Sequence, residues 1–268
     1  MKKQLAKLAF TATLGLALTF TACEEKKKQD GTTATEPAAA AETQEAAVEK
    51  ATVATHETGT VCDKGGGVKL LESSTDDEGR VHKFEYDKQN RIVKHNFKYP
   101  VTGSDNIMTI TYNSDDLVTV EIVNNSNTGN RKWTDKYVRN GNTITYEDGR
   151  FAPEKETFTI NKEGYIFRQG YEYKDGNLIK TEDWDQYNIY DDKKSPFSNT
   201  NTPKWLLQTL FYMFNPNKNN VLEKHEDNGE GNGDFNYKYE YDGDGFPIKE
   251  TKDGTIIRHF TYLCGTKN

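Results

Sequence analysis

The sequence predicts an all-β fold, an antiparallel meander that forms a twisted sheet or a partly closed barrel, with one buried α-helix near residues 203–214. From Cys62 onward, apolar and polar residues alternate with a period of two, which is typical of strands with one buried face. Turn clusters rich in Asp, Asn and Gly separate the alternating segments. Aromatic residues make up 12% of the chain, against 34% for all hydrophobic residues, so we expect a core built largely from aromatic rings.

The first 22 residues have the features of a secretory signal peptide. Lys2, Lys3 and Lys7 precede an uncharged run from Leu8 to Phe20, which is too short to cross a membrane as a helix. The segment that ends in Ala22-Cys23 resembles the lipobox of bacterial lipoproteins. That resemblance implies a lipid attached to the Cys23 thiol, and the alternative is an ordinary secretory signal with a buried cysteine.

Residues 23–61 predict a flexible tether behind the lipidated cysteine, because they are rich in Ala, Thr and Glu and contain no aromatic residue. Glu24 and Glu25 follow the lipid site. By resemblance to lipoprotein sorting rules, they imply an outer-membrane lipoprotein, and both the cell surface and the periplasmic face stay open. The all-β domain is expected to cover residues 62–268.

The chain has three cysteines, so lipidation of Cys23 leaves Cys62 and Cys264. These two lie at the ends of the predicted domain. In an oxidising envelope compartment they are expected to form a disulfide, the alternative being two unpaired thiols.

Seven turns separate the predicted strands. Strand pairs joined by such short Asx- and Gly-rich turns form antiparallel hairpins. The turns are Asp87–Asn90, Asn113–Asp116, Asn140-Gly141, Asp148-Gly149, Glu163-Gly164, Asp175-Gly176 and Asp242–Gly245.

One segment, from Thr202 to Phe214, contains no turn residue and predicts a helix. Thr202 can cap it, Pro203 suits the first helical position, and Asn215-Pro216 ends it. The segment is apolar on nearly every side and must therefore be buried. A plug that closes one end of the sheet is favoured over a lid above a ligand cavity.

The units Glu85–Ile92 and Glu240–Ile248 resemble the YD-type (RHS-like) repeats of bacterial envelope proteins, and 173–179 is a weaker copy. The block 190–197, followed by Asn219-Asn220-Val221, is similar to uncharacterised Gram-negative lipoproteins that carry such repeats. The resemblance covers most of residues 62–268. It implies a hairpin fold in the envelope, and since its motifs consist of turn residues and core aromatics, it implies no particular activity.

No catalytic motif is present, so the chain is not predicted to be an enzyme, and no metal site or cofactor is predicted. His82 and His259 are expected at surface positions of strands. The formal charge of −7 excludes a basic nucleic-acid-binding surface over the chain as a whole.

Two tryptophans, Trp133 and Trp184, are candidates for stacking on a glycan, the favoured alternative being core packing, and Asp183 and Asp185 flank the second. The favoured hypothesis is a non-catalytic binding or scaffold module for a glycan or a small apolar ligand, attached to the membrane through its lipid. One alternative is an envelope polysaccharide hydrolase that uses paired carboxylates such as Asp183 and Asp185. Another is a purely structural surface lipoprotein.

Overall fold

The computed structural model describes residues 62, 67–126, 129–150, 155–168, 170–181, 186–214, 216–227 and 232–265. Within these residues, sixteen strands form one antiparallel sheet accompanied by a single short α-helix, which confirms the predicted all-β class. The predicted signal peptide, Cys23, the predicted tether and the Asp183, Trp184 and Asp185 group lie outside the described residues.

The elements follow one another along the chain with short connections. The strands are β1 Val68–Asp76, β2 Val81–Tyr86, β3 Ile92–Tyr99, β4 Ser104–Ser114, β5 Leu117–Ser126, β6 Gly129–Asn140, β7 Thr143–Glu147, β8 Lys155–Ile160, β9 Ile166–Phe167, β10 Glu172–Lys174, β11 Asn177–Thr181, β12 Gln186–Tyr190, β13 Val221–Asp227, β14 Asn232–Tyr241, β15 Pro247–Lys252 and β16 Thr255–Gly265. Helix α1, Lys204–Leu210, and a 3₁₀ turn, Tyr212–Phe214, lie between β12 and β13.

The strand order runs β10 to β16, then β1 to β9. The sheet therefore begins and ends with β10 and β9, which are neighbours in the chain. Residues 168–171 join these two edge strands, so the Cα atoms of Phe167 and Glu172 lie within about 19 Å of each other. The described edge strands form no ladder with each other, and the sheet is a twisted, unclosed one, the first of the two predicted forms.

The first and last strands, β1 and β16, pair from Val68 with Gly265 to Asp76 with Arg258. Next to this pair, Cys62 and Cys264 lie at disulfide-bonding distance, with their Cα atoms 5.6 Å apart. The geometry agrees with the predicted bridge, which joins the two ends of the domain.

Four turns share one hydrogen-bonding pattern. In each, the side-chain oxygen of an Asp or Asn accepts the backbone N–H groups two and four residues later, and the fourth residue has a positive φ. In the turn after β2, Asp87 accepts from Gln89 and Arg91, both at 2.9 Å, and Asn90 has a φ of +60°. The other three turns begin at Asp76, Asn161 and Asp242.

The two faces of the sheet differ as the alternation predicts. The outer face carries cross-strand ion pairs such as Lys94 with Glu85 and Lys155 with Glu147. The core face packs on residues 197–214, which we call the plug. The buried apolar cluster comprises Leu71, Phe84, Ile92, Ile110, Val118, Val120, Tyr137, Ile144, Ile160, Phe197, Trp205, Leu206, Leu207, Phe211, Phe214 and Phe260.

The plug confirms the predicted burial but corrects the predicted helix near 203–214. The α-helix ends at Leu210, the backbone leaves helical geometry at Phe211, and a 3₁₀ turn follows. Tyr212 is 72% exposed, so burial is not complete. Thr202 does not cap the helix, because its hydroxyl accepts the N–H of Ile92 on β3 at 2.8 Å instead.

No helix among the described residues is both long enough and apolar enough to cross a membrane.

Candidate functional site

The junction of the two edge strands, β9 and β10, is held by side chains, and we call it the seam. The Tyr173 hydroxyl on β10 donates to the carbonyl oxygen of Ile166 on β9 at 3.2 Å. The rings of Tyr165 and Tyr173 stack with centroids 4.9 Å apart and an interplanar angle of 16°. These contacts take the place of a backbone ladder between the two strands.

Helix α1 completes the seam through one residue, Gln208. Its side-chain oxygen accepts the N–H of Ile166 at 2.7 Å, and its amide nitrogen donates to the Tyr173 hydroxyl at 2.8 Å. One helix residue thus satisfies a backbone donor of β9 and a side chain of β10 together. The position of the plug and the closure of the seam are therefore coupled.

A cleft of about 430 Å³ opens between the seam and the plug. That volume falls within the range of small-molecule sites. Tyr165, Tyr173 and Phe197 contribute its aromatic wall, and Ser198 and Thr200 contribute hydroxyls. The cleft thus combines aromatic rings with hydrogen-bonding groups, as small-molecule sites do.

Charged side chains surround the cleft in balanced numbers: Glu163 and Asp175 are acidic, and Lys204 and Lys218 are basic. All four are exposed. The Lys204 ammonium lies 4.5 Å from the centre of the Tyr165 ring, and within the described residues neither lysine forms an ion pair. Both ammonium groups are therefore available to donate to a ligand.

The two tyrosines of the cleft keep their protons at neutral pH. Burial raises the pKa of Tyr165 to about 12, and burial likewise raises the pKa of Tyr173. Tyr165 donates its proton to the carbonyl oxygen of Gly176 at 2.8 Å. The alternation around Glu163-Gly164 and Asp175-Gly176 predicts both tyrosines in strands. The structure confirms this for Tyr173 on β10, whereas Tyr165 directly precedes β9, and only folding brings both together with Lys204.

The structure places Trp133 on β6, half-buried, away from this cleft. Its indole N–H is shielded from solvent and has no hydrogen-bond partner among the described residues. The Arg150 guanidinium lies 5.7 Å from the ring centre. Trp133 therefore packs beside an arginine. It lines neither the seam cleft nor a second cavity near β1 and β2.

Two carboxylates near Trp133 have pKa values shifted in opposite directions. Burial raises the pKa of Asp135, whereas the hydrogen bond from Arg150 lowers the pKa of Asp148. Such a pair can serve as acid and base in an enzyme. Here the Asp135 carboxylate accepts the N–H of Gly149 at 3.0 Å and so anchors the turn after β7. We assign this pair a structural role.

A second cavity, of about 880 Å³, lies where β1 and β2 separate and is more open to solvent. The ladder between these strands ends at Ser73 and Lys83. Beyond that point the Tyr86 hydroxyl donates to the carbonyl oxygen of Leu71 at 2.7 Å and bridges the gap. Because a more enclosed cleft holds a small molecule better than an open groove, the seam cleft is the better candidate site.

No group of three or more His, Cys, Asp or Glu side chains suited to a metal ion occurs in the described part of the chain.

Comparison with known proteins assigns no family. No protein-family model and no curated protein matches the chain. Among solved structures, a porin-like protein from Bacteroides uniformis is similar, with 14% sequence identity and a TM-score of 0.43. The similarity covers 78% of this chain and 99% of that one. At this level it supports no inference about what the present chain does.

Proposed function

We propose that the protein is a lipid-anchored, non-catalytic envelope protein that binds a short glycan in the seam cleft. The observation that carries this proposal is the combination of the half-buried Tyr173 ring, hydroxyls and two ammonium groups without an ion pair among the described residues, all in one small cleft. Sugars offer apolar ring faces for aromatic contact and hydroxyls that both donate and accept hydrogen bonds. The cleft volume suits one or two sugar units.

The lining favours a glycan over a small apolar ligand. Of the apolar residues of α1, Trp205 and Leu206 are buried in the core cluster and do not line the cleft, whereas Leu207 does. The described cleft is instead rimmed by acids, lysines and hydroxyls, whose water-facing groups an apolar ligand would leave unpaired. Balanced charge around the cleft favours a neutral sugar.

Titration with mono- and disaccharides of hexoses, N-acetylhexosamines and uronic acids, followed by ligand-detected NMR, tests the proposal. Lys204→Met should weaken binding of a bound sugar at least about tenfold, since a hydrogen bond from a charged donor contributes about 1.5–3 kcal/mol. Lys238→Met is the matched control, because Lys238 is exposed on β14 away from the cleft. Absence of binding by every sugar, or equal losses in both variants, would reject the cleft as a glycan site.

The membrane attachment is a separate proposal that depends on Cys23. In the full-length chain expressed in a Gram-negative host, Cys23→Ser should move the protein from the membrane pellet to the soluble fraction. The same change should abolish incorporation of radioactive palmitate, because no thiol remains for the lipid. Membrane retention without the thiol would contradict the anchor and leave the cleft proposal untouched.

A further inference from the structure

Two buried histidines face each other on the core face of the sheet. His82 on β2 is 5% exposed and His95 on β3 is 8% exposed. The Nδ1 atom of His82 and the Nε2 atom of His95 lie 3.0 Å apart, and the rings are tilted by only 12°. One imidazole donates and the other accepts, so this contact suits two neutral rings. The predicted surface position of His82 is therefore wrong, whereas His259 is exposed as expected.

Aromatic rings surround the pair on both sides. On the sheet, Phe97 stacks on His82 and Phe84 stacks on His95, with centroids 4.5 and 4.9 Å apart. From the plug, the edges of Phe214 and Phe211 meet His82 and His95, at 4.9 and 5.2 Å. The histidines thus form the sheet side of the contact that holds the end of the plug.

The charges around the pair oppose its protonation. Burial is the largest cause that lowers the pKa of both imidazoles below the ordinary value of 6.5. Arg258 on β16 and Arg80 after β1 lower the pKa of His82 further, while Asp76 on β1 partly raises it. Arg258 is itself paired with Glu250 at 2.9 Å and lies 5.0 Å from the centre of the Phe214 ring.

The plug end is connected to the seam through the last turn of α1. The N–H of Phe211 donates to the carbonyl oxygen of Leu207 at 2.8 Å, and Gln208, the residue that joins β9 to Tyr173, lies in that same turn. Displacement of Phe211 would therefore disturb the helix residue that holds the seam.

We propose that His82 and His95 form an acid-sensitive latch, whose protonation releases residues 211–214 from the core face and loosens the seam cleft through Gln208. The effect on ligand affinity depends on the proposed function of the cleft, whereas the latch itself does not. A released histidine binds a proton below pH 6.5, whereas a packed histidine resists protonation. Acid therefore shifts the equilibrium towards the released state. One pH unit below 6.5 favours the open state about tenfold for each histidine released.

Amide hydrogen exchange of the ligand-free full chain tests the latch at pH 7.0 and 5.5, with rates corrected for the intrinsic pH dependence of exchange. The amides of residues 204–214 should open about tenfold more at pH 5.5 per histidine released, relative to those of β4 and β5. His82→Gln/His95→Gln should abolish this difference, while His225→Gln, at a half-buried position on β13, should retain it. Equal protection of residues 204–214 at both pH values, or a difference that persists in the double variant, would overturn the latch.

A second measurement on the unaltered chain keeps the test independent of how the variants fold. In an NMR titration, the imidazole signals of His82 and His95 should change only well below pH 6.5, together with the ring signals of Phe211 and Phe214. Histidine signals that titrate near 6.5 with unchanged phenylalanine signals would reject the latch. For a sugar found to bind, weaker affinity at pH 5.5 supports the link to the cleft, and unchanged affinity despite faster exchange refutes that link alone.

Discussion

The four turns that begin with Asp or Asn and the plug find hydrogen-bond partners for their backbone groups in contrasting ways. In the turn at Asp87, every hydrogen bond described above closes within five residues of sequence. In the plug, hydrogen bonds join residues that are far apart in sequence. The N–H of Asn201 donates to the carbonyl oxygen of Asn90, and the N–H of Ile92 donates to the Thr202 hydroxyl. The turns can form from local sequence, whereas the plug needs the sheet to be in place.

The two regions also meet. Asn90, the positive-φ residue of the turn after β2, offers its carbonyl oxygen to both Asn201 and the Thr200 hydroxyl, the latter at 2.9 Å. The Asn199 side chain donates to the carbonyl oxygen of Lys69 on β1 at 3.0 Å. A local turn thus presents fixed acceptors on which the non-local segment docks.

The largest expected effect on the free energy of unfolding tests whether the plug stabilises the fold through the specific packing of its buried side chains. Phe211→Ala should lower the free energy of unfolding by about 3–5 kcal/mol, because Phe211 is 1% exposed and its ring contacts Phe84, His95 and Phe197. Its neighbour Tyr212 is 72% exposed, so Tyr212→Ala should change the same quantity by no more than about 0.5 kcal/mol.

Urea unfolding monitored by circular dichroism measures both values. Similar losses of unfolding free energy in the two variants would mean that the plug stabilises the fold by covering the sheet and not by specific packing of Phe211. The comparison between turns and plug would then lose its energetic basis.

The local character of the turns explains why the sequence predicted them. Period-two alternation and dipeptides such as Asp175-Gly176 act within a few residues, and the strands on either side are found where expected. The burial of His82 was also visible in principle, because it alternates with Phe84 and Tyr86 on the same face. The polarity of His82 favours a surface position, whereas its place in the alternation indicates the buried face, and the structure follows the alternation.

The plug and the candidate site could not be predicted to the same depth. The segment 203–214 is apolar at nearly every position, so it has no polar face whose period would mark where the helix ends. The role of Thr202 depends on Ile92, 110 residues away, and the role of Gln208 depends on Ile166, 42 residues away. The second pairing arises from the topology that makes β9 and β10 the two edges of one sheet, and the first arises where the plug docks on β3.

A smaller effect tests whether the long-range hydrogen bonds of the plug matter beyond its packing. Thr202→Val keeps the shape of a 3% exposed side chain but removes the acceptor of the Ile92 N–H and the hydrogen bond with the Thr200 hydroxyl. Leaving a buried donor unpaired costs about 1–3 kcal/mol, so we expect a loss of about 2 kcal/mol in unfolding free energy. Thr209→Val is the matched control, because the Thr209 hydroxyl donates only to the carbonyl oxygen of Trp205 within α1.

We expect the control to lose about 0.5 kcal/mol, because the Thr209 hydroxyl adds a local bond in a half-buried position where water can take its place. Urea unfolding of the two variants measures the difference. If Thr202→Val costs no more than Thr209→Val, the hydrogen bond between plug and sheet adds nothing to the packing of Phe211. In that case the plug is held by apolar contact and by its other bonds to the sheet, such as the one from Asn199 to Lys69, and the Thr202 bond does not set the plug apart from the turns.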